Sequence, residues 1–217
     1  MPDFTLQRLN MVESQVRPSD IVDRRISRAM SEIARETFVP PALRTIAYMD
    51  RDLPVAPQRF LLAPRLLAKL IQLLALGDRD AVLDIGCGSG YSSVVLAKLL
   101  GTVVALECDA GLAETAKKAL AAIACDTVTV VTGPLTEGVA AEAPYDAILL
   151  NGTVSDVPLR LLDQLKDGGR LAAVVADGTM GRATQWRRIG DTFDRRVVFD
   201  ATAASLPGFE RKVEFVF

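Results

Sequence analysis

Two acids and three glycines are the residues of this chain whose types and spacing could do chemistry. The run Val82-Leu83-Asp84-Ile85-Gly86-Cys87-Gly88-Ser89-Gly90 is an apolar strand leading straight into a glycine turn. Asp84 falls near the strand's carboxyl end. Gly86, Gly88 and Gly90 let the backbone turn sharply and leave room for a ligand. A helix expected over 91–100 then points its first N–H groups at that ligand. A second strand over 102–106 ends at Glu107, and a carboxylate there can accept hydrogen bonds from both hydroxyls of a ribose. The dinucleotide fingerprint needs a glycine three positions after Gly88, and Tyr91 stands there, so that nucleotide class does not match.

The residue counts narrow the chemistry. The chain has no histidine, which removes Ser-His-Asp and Cys-His catalysis and the commonest general base. It also argues against a zinc or non-haem iron centre, for which imidazole is the usual ligand. Cys87, Cys108 and Cys125 have no metal-ligand spacing. Cys87 fits as a small side chain inside the turn, and unpaired cysteines suit a reducing cytoplasm. A net charge of −2 gives no global electrostatic case for nucleic acid. The pairs Arg187-Arg188 and Arg195-Arg196 are read as solvated surface charge. Residues 1–10 have no apolar core of signal-peptide length, and no apolar stretch reaches membrane-spanning length. A soluble cytoplasmic protein without a metal is expected.

The elements around the turn follow a doubly wound pattern. Strands are expected over 81–85, 102–107, 127–131, 145–150 and 170–176, and helices over 91–100, 110–123 and 158–165. Ala147-Ile148-Leu149-Leu150 and Leu171-Ala172-Ala173-Val174-Val175 are nearly continuous apolar runs, as in a parallel sheet covered on both faces. Before the turn, residues 1–20 read as polar and irregular. A helix is expected over 21–33, capped by Asp20 or Asp23. Residues 42–58 are a mixed stretch. A second helix is expected over 64–76, with Pro64 in its first turn. From Thr184 onward further strands are expected, with cores Val197-Val198-Phe199 and Val213-Glu214-Phe215-Val216-Phe217 and a turn at Ser205-Leu206-Pro207-Gly208. The division is an extension, 1–60, packed on a core domain, 61–217.

The spacing Asp-x-Gly-x-Gly-x-Gly resembles the first motif of class I S-adenosylmethionine-dependent methyltransferases. That ligand has no pyrophosphate to cradle, and its small, charged tail suits a close glycine turn beside an acid. Other blocks resemble one family within that class, the protein-L-isoaspartate O-methyltransferases. They are Met11-Val12-x-x-Gln15-Val16 with Ile21-x-Asp23, Arg35-Glu36-x-Phe38-Val39-Pro40, and Ala47-Tyr48-x-Asp50-x-x-Leu53-Pro54. Pro144-Tyr145-Asp146-Ala147-Ile148-Leu149 and Gln164-Leu165-Lys166-x-Gly168-Gly169-Arg170-Leu171 are similar as well. The resemblance covers roughly residues 8–176. It implies a Rossmann-like α/β fold with a mostly parallel sheet and an N-terminal helical extension, to which the apolar pattern adds the C-terminal strands. It also implies S-adenosyl-L-methionine as cofactor, held by Asp84, Gly86, Cys87, Gly88, Ser89, Gly90, Tyr91 and Glu107. Its reaction is O-methylation of isoaspartyl carboxylates in damaged proteins or peptides, followed by collapse of the ester to a succinimide. A carboxylate is already ionised at neutral pH, so such an acceptor needs no base, and no catalytic residue is assigned.

The chain departs from the family pattern at the acceptor side. Where the family carries Gln-Thr-Ile-Ser-x-Pro, this chain has Arg59-Phe60-Leu61-Leu62-Ala63-Pro64. Phe60 and Leu62 replace two hydroxyls, and a desolvated carboxylate without donors is costly. Arg59 or Arg65 could replace those donors, or both could lie on the surface. After the third core strand a family Gly-Asp-Gly is replaced by Gly133-Pro134-Leu135. Asn151, at a strand's carboxyl end, could address the acceptor group or cap the strand. The substrate-side candidates are therefore Arg59, Phe60, Leu62 and Asn151. Three readings stay open: an isoaspartyl methyltransferase, a methyltransferase for another carboxylate or a small apolar acceptor, and a non-catalytic S-adenosylmethionine-binding protein.

Overall fold

The computed structural model describes residues 2–178 and 180–210. The expected strand over 213–217 lies outside the described residues. Residues 1–20 are not irregular, as the sequence suggested. They form α1 (Phe4–Met11), a π-helical turn (Val12–Val16) and a 3-10 turn (Arg17–Ser19). The Asp3 side chain caps α1 by accepting from the Leu6 N–H. Met11, Val12 and Val16 are buried, so tertiary packing stabilises a segment whose own pattern is weak. Helix α2 (Arg24–Glu32) starts at Asp23, which accepts from the Arg25 N–H. Asp20, the other candidate cap, sits in a left-handed turn.

The mixed stretch resolves into a 3-10 turn (Pro41–Ile46) and a small antiparallel hairpin, β1 (Leu53–Ala56) and β2 (Arg59–Leu61). Helix α3 (Pro64–Leu74) follows, with Pro64 at its first turn.

The central sheet is built from β3 (Ala81–Ile85), β4 (Thr102–Glu107), β5 (Val128–Thr132), β6 (Tyr145–Val154), β7 (Leu165–Asp177), β8 (Met180–Ile189) and β9 (Thr192–Ala201). The order is β5-β4-β3-β6-β7-β8-β9. The first five in this order are parallel, and β8 and β9 join antiparallel. Alternate strand residues feed two apolar layers. Val82, Val103, Leu149 and Ala172 face α3, α4 (Tyr91–Leu99) and the N-terminal helices. Leu83, Ile85, Ile148, Leu150 and Leu171 face the opposite layer, with Leu161, Leu162, Leu206 and Phe209. Both faces are therefore covered, as the apolar runs require.

Helix α5 (Ala110–Ala122) is capped by the Asp109 side chain. The helix expected over 158–165 is shorter, α6 (Leu159–Leu162). The chain enters β7 at Leu165, where Leu165 pairs with Tyr145 before an irregularity in register. After β9 the chain returns to the middle of the sheet. Ser205 bridges Thr153 of β6, and Leu206 is buried. Among the described residues, no helix is long and apolar enough to cross a membrane.

Candidate cofactor site

Strand β3 has β4 on one side and β6 on the other, so the strand order reverses at this point. Ligands in open α/β sheets bind at the carboxyl end of such a switch point, and that is where the glycine turn lies. Gly86, Gly88 and Gly90 all have positive φ, at 74°, 59° and 96°. Gly86 and Cys87 donate to the Leu106 carbonyl at 2.8 and 3.2 Å, and Gly90 donates to the Cys87 carbonyl at 2.9 Å. These bonds seat the turn beside the end of β4.

Asp84 is fully buried at the end of β3. Its Oδ2 accepts from the Ser92 hydroxyl at 2.8 Å and the Ser93 hydroxyl at 2.5 Å, both from the first turn of α4. Its Oδ1 accepts from Asn151 Nδ2. Burial pushes the Asp84 carboxyl above the ordinary aspartate range, against the three hydrogen bonds, and the nearby Glu107 charge pushes the same way. Asn151 therefore braces Asp84. Ser92 and Ser93 were not singled out from sequence. Their position eight and nine residues after the acid, at a helix start, is the signal that could have found them.

Glu107 ends β4 with no exposed surface, and Arg59 from β2 is 3% exposed. Arg59 grips the carboxylate with two bonds, Nε to Oε1 at 3.0 Å and Nη2 to Oε2 at 2.8 Å. Three backbone N–H groups complete its shell: Gly88 to Oε2 at 2.8 Å, and Cys108 and Asp109 to Oε1 at 2.9 and 3.2 Å. Burial opposes ionisation of Glu107, but the Arg59 bonds and charge and the N–H donors outweigh it and hold the carboxyl below its usual range. The Cys108 thiol adds a longer bond to Oε1 at 3.4 Å, and with these six donors on two oxygens every acceptor site of the carboxylate is taken.

The remaining candidates divide. The Cys87 thiol is buried, and burial with the two neighbouring acids drives it well above the ordinary range, so it is no nucleophile. The Ser89 hydroxyl donates to the Phe38 carbonyl at 2.5 Å. The Tyr91 side chain turns into the core, against Phe38 and under the guanidinium of the buried Arg35 at 4.8 Å. Phe60 is half-buried and Leu62 lies in the apolar core. Arg59 is not on the surface, whereas Arg65 is exposed and pairs with Asp50. Pro134 stands where the family pattern has its acid, and Leu135 beside it is buried in the second layer. A groove of about 730 Å³, lined by Asp50, Asp52, Arg65, Lys69 and Phe199 among others, flanks the hairpin and not the glycine turn. Among the described residues, no group of three or more acids and cysteines is placed to hold a metal.

The strand order, the acid–glycine turn and the second acid at the next strand end define a class I methyltransferase fold. A profile of the family described as protein-L-isoaspartate(D-aspartate) O-methyltransferase matches residues 7–201. A protein-L-isoaspartate O-methyltransferase of Roseiflexus castenholzii is 36% identical over 206 residues, covering 95% of this chain and 94% of its own. One from Methanoculleus marisnigri is 40% identical over 169 residues, 78% of this chain and 77% of its own. The chain belongs to the protein-L-isoaspartate O-methyltransferase family. In fold it is similar to a solved protein-L-isoaspartate O-methyltransferase, with a TM-score of 0.82 at 24% identity over 93% of this chain and 66% of that one. It is also similar to a Plasmodium falciparum protein put forward as a beta-aspartate methyltransferase and solved with S-adenosyl-L-homocysteine. That match has a TM-score of 0.78 at 19% identity over 92% of this chain and 97% of the other.

Proposed function

We propose that this chain is an S-adenosylmethionine-dependent methyltransferase that O-methylates the carboxylate of L-isoaspartyl residues in damaged proteins or peptides. The observation that carries this reading is the family match over residues 7–201, with relatives of that name aligned along almost the whole chain. The site supports it in kind. Two acids flank a turn of three positive-φ glycines at the carboxyl ends of adjacent parallel strands.

The cofactor supplies an electrophilic methyl on a sulfonium, which an acceptor oxygen displaces in line. Glu107, at the end of the neighbouring strand, is the residue that would take the ribose hydroxyls once freed of Arg59, and Asp84, braced by Ser92, Ser93 and Asn151, holds the start of the turn. An isoaspartyl carboxylate is ionised at neutral pH, so alignment and a partly dry site suffice. That agrees with a chain that has no histidine. The group fits the residue types but not the present arrangement, because Arg59 saturates Glu107. That one observation favours a second reading, a family member that does not turn over.

The proposal extends to organisation and setting. Residues 1–60 are read as an extension packed on a 61–217 domain; the packing is supported by the apolar layer that Met11, Val16, Ile26 and Met30 share with α3 and α4, while β2 runs across the boundary. Three free cysteines suit a cytoplasmic setting, and a net charge of −2 gives nucleic acid no attraction. The experiment is transfer of labelled methyl from S-adenosylmethionine to an isoaspartyl peptide, beside its normal aspartyl counterpart. Base-labile label on the isoaspartyl peptide alone is expected. No label on it, from protein with demonstrated cofactor binding, would refute the acceptor.

A further inference from the structure

The seat that the family uses for its cofactor is filled here by two of the chain's own side chains. Arg59 occupies both oxygens of Glu107, and neither partner is open to solvent. A ribose cannot reach that carboxylate while the guanidinium is in place. Leu206 covers the turn from the other side. A β-carbon placed on Gly86 would stand 2.7 Å from Leu206 Cδ2 and 2.9 Å from Arg59 Nη2. One placed on Gly152, in β6, would stand 2.7 Å from Leu206 Cγ. The space over Gly86, at the start of the turn, is therefore protein, whereas a β-carbon on Gly88 would meet only Val55 Cγ2, at 3.8 Å.

The two side chains belong to one assembly. Arg59 is delivered by the β1–β2 hairpin, and Leu206 by the returning segment 203–209. That segment is pinned to Thr153 by Leu206 N–H to the Thr153 carbonyl, Thr153 N–H to the Ala204 carbonyl, and the Thr153 hydroxyl to the Ala203 carbonyl, each at 2.8 Å. Asp52 ties hairpin and segment together. Its Oδ1 accepts from the Ala63 N–H at 2.8 Å, and its Oδ2 from the Ala204 N–H at 2.9 Å. The occupant is also a strong one. A bidentate guanidinium makes two charge-assisted bonds, where ribose hydroxyls make two with a neutral donor.

We propose that Arg59 and Leu206 form an internal latch that shuts the cofactor seat, so that S-adenosylmethionine or its product binds only the fraction of molecules in which Arg59 has released Glu107. This rests on the reading of S-adenosylmethionine as the cofactor. The apparent dissociation constant is then the intrinsic one divided by the open fraction, and weakening the latch tightens binding even as it loosens the fold. A merely structural arginine would do only the second.

The test is calorimetric titration of wild type, Arg59→Gln, Arg59→Lys and Leu206→Ala with S-adenosylhomocysteine. Arg59→Gln, which removes the charge and the fork, should bind at least tenfold more tightly than wild type. Arg59→Lys, which keeps one charge but loses the fork, should fall between. Leu206→Ala, which leaves the ion pair in place, should tighten binding severalfold and keeps the test alive should an Arg59 variant fold poorly. Binding by wild type as tight as by Arg59→Gln and Leu206→Ala, within threefold, overturns the latch and leaves the cofactor reading standing. No binding by any of the four at millimolar ligand overturns both.

Discussion

The Arg59–Glu107 pair should cost unequal amounts when broken from its two ends. Glu107→Gln leaves a guanidinium that is 3% exposed and whose hydrogen bonds both went to Glu107. It cannot shed its proton, and one neutral amide oxygen is a poor replacement for two charged ones. Breaking a buried pair this way costs about 3–5 kcal/mol. Arg59→Gln leaves a carboxylate that keeps three backbone N–H donors, from Gly88, Cys108 and Asp109, and that can take up a proton. The cost there should be about 2–3 kcal/mol, below the range for an uncompensated charge. The double variant removes both charges, so it should cost less than the sum of the singles by roughly 2 kcal/mol, within the range for groups in direct contact. Urea unfolding at pH 7 with a common m-value reads all four corners. The reasoning fails if Arg59→Gln costs as much as Glu107→Gln, or if the singles add to the double within about 0.5 kcal/mol.

The same acid sets a pH signature. Glu107 titrates below the ordinary 4.5 in the fold, so its stabilisation is complete above that value and is lost as the pH falls through the lower, folded one. The gap in melting temperature between wild type and Glu107→Gln should narrow from pH 7 down to pH 3; a gap that stays constant or widens contradicts the assignment. At the turn, Gly86→Ala combines a φ of 74° with a clash against Leu206. It should cost about 2–4 kcal/mol, of which roughly 1–2 is the left-handed backbone itself. Leu206→Ala should recover part of that cost in thermal denaturation, and no recovery would mean that the contact is unimportant.

The parts of the fold written in local pattern were readable. Asp84 and the three glycines follow an apolar strand, and Ala147–Leu150 and Leu171–Val175 announce strands buried on both faces. Helix α2 was readable from its period and its Asp23 cap, but α1 and the helical turns after it were not. Only Met11, Val12 and Val16 mark the segment as buried, and their helical form depends on surfaces far along the chain. The acceptor-side substitutions were visible as departures, but not their destination. Arg59 finds its partner 48 positions away, on the end of another strand, and no spacing rule connects the two. Leu206 looked like one residue of a turn. Pro207 and Gly208 do turn, yet Leu206 itself is 1% exposed. A large aliphatic residue in a Ser-Leu-Pro-Gly run was the available hint.

The return of the chain from β9 to β6 has a consequence for the order in which the molecule is built. Synthesis runs from the amino terminus, and domains tend to acquire structure in that order. Strands β3 to β6, the glycine turn and the hairpin bearing Arg59 all leave the ribosome before residues 203–209. Those residues follow β8 and β9 in the chain and come back from the sheet's far side to reach β6. Leu206 therefore docks after them. During translation there is an interval in which the turn is covered by the arginine alone, and a chain ending at residue 201 would carry the glycine turn without its aliphatic cover.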